Sequence, residues 1–450
     1  MKNIALASLA TVALAGAAAL GTSYYTGQKA AQAFHQLTQN RGDDALHLEV
    51  IHYQRGWLRS EARTHWSWEA DEEQYRIEAV HHILHGPWAN GQAARITTQF
   101  LLPQGSGPEL AQALAQQPPL TWTTHVGWQG QSSHAVQGPA FTAEYADGSR
   151  LIWGGVEGHA TLDAQRQSLH SEWSVPELRM LADDGGRIEL VNLQFSTRAT
   201  RAPSHRFWHG PADLRLQHVH MLTPQGFVLL NLQNVTATSA TVLQDELLQL
   251  QLHTTAEAVK TPFYQTPSFE LKAAVRRIDA TWLDTWLSHN TRVQSEEDTL
   301  STEHLAALLA HAPELEISQL RIGTEDGPAQ FTGEVKYVGD PHMPLHLSQD
   351  LQARVKALLP KPTVQLMLAR KVHEDYVDLL EQLGQDLQED AMRNAIRDGV
   401  NKRTQALLEQ GALQELGDDY TAELTFNADG LALNGTPTDV SNLLRLGGAL

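Results

Sequence analysis

Apolar and polar side chains alternate through much of this chain, with the period of a strand that buries one face. Leu46 to Tyr53 sets Leu46, Leu48 and Val50 against His47, Glu49 and Ile51. Trp57 to Glu69 sets Leu58, Ala62, Trp66 and Trp68 against Arg59, Glu61, Arg63, His65 and Glu69. Gln54-Arg55-Gly56 between them predicts a hairpin turn, with Gly56 in a backbone conformation closed to other residues. Gln74 to His85 alternates again, up to Gly86-Pro87, and Ala94 to Leu102 gives a fourth run. After a short helical pattern over Glu109 to Gln117, strands are predicted at Leu120 to Trp128, Phe141 to Tyr145, Arg150 to Val156 and Gly158 to Asp163. More follow at Ser168 to Val175, Arg187 to Thr197, Leu214 to Leu222, Phe227 to Ala237, Thr241 to Thr254 and Ser268 to Ile278. Short turns such as Asp147-Gly148 separate several of them, which makes the pairing antiparallel.

The texture changes near Asp279. Ala280 to Leu287 and Ser301 to His311 have helical spacing, and Glu314 to Ile322 with Ala329 to Val338 predicts a hairpin across Asp326-Gly327. Thr363 to Lys371 reads as a strand, His373 to Leu383 and Asp386 to Leu413 as helices, and Tyr420 to Phe426 with Leu431 to Asn434 as a closing hairpin. The expected fold is β-rich α+β: a large twisted antiparallel sheet, a mixed helical and hairpin C-terminal part, and an N-terminal membrane helix. Residues 1–40 form the anchor and its helical continuation, 41–279 the β body and 280–450 the mixed part.

The membrane helix rests on Ile4 to Leu20, an uncharged run after Lys2. It only reaches the lower limit of about 17 residues for crossing a bilayer. One reading is a cleaved signal peptide with small-residue sites at Ala15-Gly16-Ala17 or Ala17-Ala18-Ala19. The other is a retained anchor that continues to Tyr24 and Tyr25 at the membrane interface. Both export the body.

Composition removes several functions. The chain has no cysteine, so thiolate metal sites and cysteine nucleophiles are excluded. A formal charge of −19 argues against a nucleic-acid partner. Neither a serine elbow nor a dinucleotide loop is present, and His373-Glu374 lacks the second histidine of a zinc-protease helix. His81, His82 and His85 are the best metal candidates. On a strand His81 and His85 stand about 13 Å apart, too far for one ion. No catalytic residue, metal or cofactor is therefore assigned. Tryptophans are concentrated in the β-rich part, and Trp66, Trp68 and Trp153 are candidates to line a groove for an acyl chain or glycan, against core packing as the default.

Several short landmarks line up in order. They are Tyr25-Thr26-Gly27-Gln28-Lys29, Tyr53-Gln54-Arg55-Gly56-Trp57-Leu58-Arg59-Ser60, His85-Gly86-Pro87-Trp88 and the closing Leu424 to Gly435. Together they resemble the YdgA-like bacterial envelope proteins, although Arg59 stands where a small residue is expected. The resemblance implies a single-pass anchor in the bacterial inner membrane through residues 4–25, a body in the periplasm, and no defined activity. Tyr25, Gly27, Tyr53, Arg55, Gly56, Ser60, His85, Gly86 and Pro87 are its motif residues, with a structural or partner-docking role. The expected function is a non-enzymatic binding or lipid-handling module with an apolar sheet face. The alternatives are an envelope scaffold and, less favoured, a hydrolase assembled from distant strands. A lipid, an envelope protein or a second copy of the chain are the partners left open.

Overall fold

The computed structural model describes residues 22–23, 25–26, 28–32, 46–70, 73–101, 108–202, 204–205, 207–262, 265–290, 302–340, 347–383 and 389–447. Two compact units are present, Met1–Asn231 with Leu283–Asp298, and Leu232–Trp282 with Thr299–Leu450. Strands dominate both, and the pairing is antiparallel throughout the described ladders.

The first unit contains β1 (Leu46–Arg55), β2 (Arg59–Ala70), β3 (Glu73–Ala89), β4 (Gln92–Phe100), β5 (Thr121–Val126), β6 (Ser132–Gly138), β7 (Phe141–Glu144), β8 (Arg150–Trp153), β9 (Val156–Leu162), β10 (Ser168–Leu181), β11 (Arg187–Arg201), β12 (Trp208–His209) and β13 (Pro211–Leu222). The chain meanders from β1 to β6, continues through β9, β10 and β11 to β13, and sets the β7–β8 hairpin against the far part of β10. Directly opposite residues share a face. One row therefore runs Tyr53, Ala62, His81, Thr98, Trp122, Val136, Gly158, Trp173, Phe195, Leu214. At the β2–β3 end this face is sealed. Ala62, Ala79, Ile83 and His81 are buried, and Ala30 of an N-terminal helical segment packs over Ala62 and Ile83. Towards β10 and β11 the cover ends, and Trp173 and Phe195 are 36% and 37% exposed.

The second unit has the same alternation. β14 (Val228–Gln244) turns at Asp245 and Glu246, both left-handed, into β15 (Leu247–Ala256). The hairpin β16 (Ala258–Lys260) and β17 (Gln265–Thr266) leads to β18 (Phe269–Asp279), β19 (Glu314–Thr324), β20 (Gly327–Tyr337), β21 (Leu351–Pro360), β22 (Gln414–Leu416), β23 (Asp419–Asn427), β24 (Gly430–Leu433) and β25 (Thr436–Thr438). Leu250, Val275, Leu315, Val335, Ala353, Phe426 and Leu431 form a row on the apolar face. The other face is charged and paired, as in Arg354 Nε to Glu423 at 2.9 Å. A helix pair, Lys361–Leu383 and Glu389–Glu409, contributes Val364, Leu368, Val372, Val400 and Leu407 to a core that includes Tyr420.

Several details differ from the sequence reading, the following among them. Thr363 to Lys371 is helix, because Val364, Leu368 and Val372 recur every four residues as its buried stripe, although β-branched Thr363 and Val364 favour strand locally. β3 continues through the cis Gly86–Pro87 bond to Ala89. The β14–β15 turn lies at Asp245-Glu246, several residues later than the hydrophobic break suggests. β6 and β21 were not expected at all. The predicted membrane helix over Ile4 to Leu20 lies outside the described residues. Thr22, Ser23, Tyr25, Thr26 and residues 28–32 are helical, and among the described residues no helix is long and apolar enough to cross a membrane.

Candidate functional site

The motif residues come together at the end of the β1–β2–β3 meander. Antiparallel register places Ser60 opposite Ile83, two positions from His85 on the same face. Ser60 Oγ and His85 Nε2 are 2.8 Å apart, and both residues are buried. The Gly56 N–H reaches Ser60 Oγ at 3.4 Å, and the His85 N–H donates to Leu58 O at 2.9 Å. From the N-terminal helical segment, the Ser23 hydroxyl donates to Gly86 O at 2.6 Å. Beyond Pro87 the Gly91 N–H bonds Pro87 O, and the Trp128 indole N–H bonds Gly91 O at 2.7 Å. Stretches separated by 63 residues are thus clipped into one corner.

Burial shapes the electrostatics of this corner. Burial lowers the His85 imidazole below its usual value, keeping it neutral. It also raises the Tyr53 hydroxyl, an effect opposed by a hydrogen bond with Ser60 and the charge of Arg55. A serine beside a histidine suggests an activated nucleophile, but the chemistry needs access and an oriented base. Here neither side chain reaches the surface, and His85 Nδ1 has no hydrogen-bond partner among the described residues. The Ser60–His85 contact ties β2 to β3. Ser60→Ala leaves His85 Nε2 buried without Ser60 and is expected to lower stability by about 1–3 kcal/mol in equilibrium denaturation. An unchanged midpoint would show that the hydroxyl does not hold the corner.

Gly56 works differently from the sequence expectation. Its φ is not left-handed; instead, a Cβ there would sit 2.3 Å from Arg59 O, so the position is closed by space. Tyr25 is exposed, with the Lys29 ammonium 5.8 Å from its ring centre, while Arg55 is exposed and Pro87 half-buried. Gly27 lies outside the described residues.

The three candidate metal ligands diverge. His81 is bracketed on the apolar face by Thr64 Oγ1 at Nε2 and Thr98 Oγ1 at Nδ1, each 2.8 Å away, and burial followed by the neighbouring His82 lowers it to about 4. His82 is exposed on the opposite face, and His85 is engaged with Ser60.

Of the aromatic candidates, Trp66 packs edge-on to Phe100 at 5.6 Å and tilts against Trp122 at 6.2 Å, with its N–H on Thr64 Oγ1. Trp68 stands opposite Leu46 and Tyr75 in the ladder. Trp153 is half-buried on β8, opposite Phe141 and Leu178. The row through Trp122, Trp173 and Phe195 was not singled out from sequence, because only strand register aligns those residues.

A family model described as "Bacterial protein of unknown function (DUF945)" matches residues 1–441. No curated protein and no solved structure matches. The match spans nearly the whole chain, both β-rich units included, and the chain belongs to the DUF945 family of bacterial proteins of unknown function.

Proposed function

We propose that this protein is a non-enzymatic lipid-handling module of the bacterial envelope, tethered to the inner membrane by residues 4–25 with its body in the periplasm. The carrying observation is the apolar face of the first unit. It is sealed at Ala62 and Ile83 but continues as a row to Trp173 and Phe195, which keep about a third of their surface in water. Contiguous exposed apolar surface is unfavourable and marks interaction sites. An acyl chain laid along the row would recover roughly 0.8 kcal/mol per methylene buried. The uncharged Ile4 to Leu20 run and the YdgA-like order of the motifs support the tether.

Purification in a mild detergent, followed by native mass spectrometry, is expected to recover bound lipid. Trp173→Glu and Phe195→Glu place carboxylates on the open part of the face and should strip most of it. Protein free of lipid from the outset would remove this reading, leaving a protein-interaction scaffold. Detection of a mature N-terminus near residue 20 would replace the tether with a released periplasmic body.

A further inference from the structure

We infer that a depression of about 660 Å³ beside Trp128, on the other face of the same sheet, binds a saccharide. His125, Ser133, Thr161 and His170 lie directly opposite one another on β5, β6, β9 and β10. They alternate with the row through Trp122, so they belong to its reverse face. Three strand spacings separate the outer two, a floor about 14 Å long.

The wall is Trp128, which is 50% exposed. Its N–H is held by Gly91 O at 2.7 Å, and its six-membered ring lies against Gly86, where an added methyl would come within 2.9 Å. The indole is thus anchored along one edge with half of its surface free. A fixed aromatic plate costs little entropy to use in binding. Gln92 stands at the rim and orients the His125 ring through Oε1 to Nδ1 at 2.6 Å.

The lining chemistry selects the ligand class. Among the described residues no Lys or Arg lines the depression, so a phosphate or other anion has no counter-charge there. Acyl chains would bury the Ser133 and Thr161 hydroxyls of the floor without replacing their hydrogen bonds to water. A sugar ring matches both halves: its C–H face stacks on the indole, and its hydroxyls pair with amide, hydroxyl and imidazole groups. The site stands or falls independently of lipid on the opposite face.

The test titrates the full chain, in a detergent without a sugar headgroup, with two probes followed by saturation-transfer NMR. One probe is a neutral N-acetylated amino-sugar disaccharide, the backbone chemistry of peptidoglycan; the other is a neutral hexose disaccharide, the chemistry of outer-core oligosaccharide. Saturable binding in either arm is the expected result, and the arm identifies the source. Trp128→Ala should weaken it about tenfold or more. Because Trp128 also supports Gly86, Thr161→Trp provides a second variant, filling the floor from an exposed strand position; it should abolish binding while the melting curve is retained. Absence of saturable binding in both arms, or binding unchanged in folded Thr161→Trp, overturns the assignment.

Discussion

Gly86→Ala is expected to lower folding stability by about 3 kcal/mol, the upper part of the overpacking range. An alanine Cβ would lie 2.0 Å from Gln92 O and 2.9 Å from the Trp128 ring. Neither contact relaxes cheaply. Gln92 pairs with Ala89 in the β3–β4 ladder, so its carbonyl moves only with the hairpin. The Trp128 indole is tied to Gly91 O. Movement of Gly86 itself pulls its carbonyl from the Ser23 hydroxyl and loosens the helical segment that carries Ala30 over Ala62 and Ile83. Gly91→Ala is the comparison: it has open space around the Cβ but a φ of +77°, so its cost is backbone strain of about 1 kcal/mol. Urea denaturation of both variants separates the two causes. Equal losses would show that the close approach at Gly86 is not what holds the corner.

The strands of the first unit were legible because one-sided burial writes a period of two into the chain. Leu46 to Tyr53 falls in β1, with Leu48 and Val50 on the expected inner face, and most of the Trp57 to Glu69 run falls in β2 with Ala62 and Trp66 inward, whereas Trp57 and Leu58 precede β2 and are exposed. Failures occur where local pattern and tertiary need part company. Val364 and Val372 favour strand locally, yet the four-residue spacing around Leu368 seats a helix on the Tyr420 side of the core. Ser132–Gly138 shows no strand pattern, because Ser132, Ser133 and Gln137 interrupt the apolar alternation of a strand paired on both sides. Site residues followed the same rule. Ser60, His85 and Gly86 were recognised as motif members, but their convergence depends on β2–β3 register. Ser23 carried no local signal, since a single serine adds nothing to a hydrophobic pattern. The apolar row was half-readable: all its members but Val136 fall in expected strands, yet Tyr53 reaches the row only through the β1 bulge after Val50, and only the pairing shows one continuous surface.

The second large effect concerns acid. Among groups on that surface, His81 is lowered to about 4 from an ordinary 6.5, chiefly by burial and then by the charge of His82. The folded protein therefore refuses a proton that the unfolded chain accepts. Below pH 6.5 the unfolded state binds more protons, so stability is full above that pH and declines as the pH falls towards 4, then levels off. The slope approaches about 1.4 kcal/mol per pH unit, for a total near 3 kcal/mol. The cause is geometric as well as dielectric. Both ring nitrogens are taken by Thr64 and Thr98 on flanking strands, and Trp66 donates to the same Thr64 oxygen, so the neutral ring ties β2, β3 and β4 in register beneath the aromatic row. Protonation would put a charge on a buried residue that sits between two hydroxyls and lacks a carboxylate neighbour in those bonds. His81→Gln removes the titration while retaining a polar side chain. Between pH 7.5 and 5 the parent is expected to lose about 2 kcal/mol more than the variant in urea denaturation. Parallel pH profiles for the two would mean that His81 gains a proton in the fold as readily as in the open chain, and the register argument built on its neutrality would fail with it.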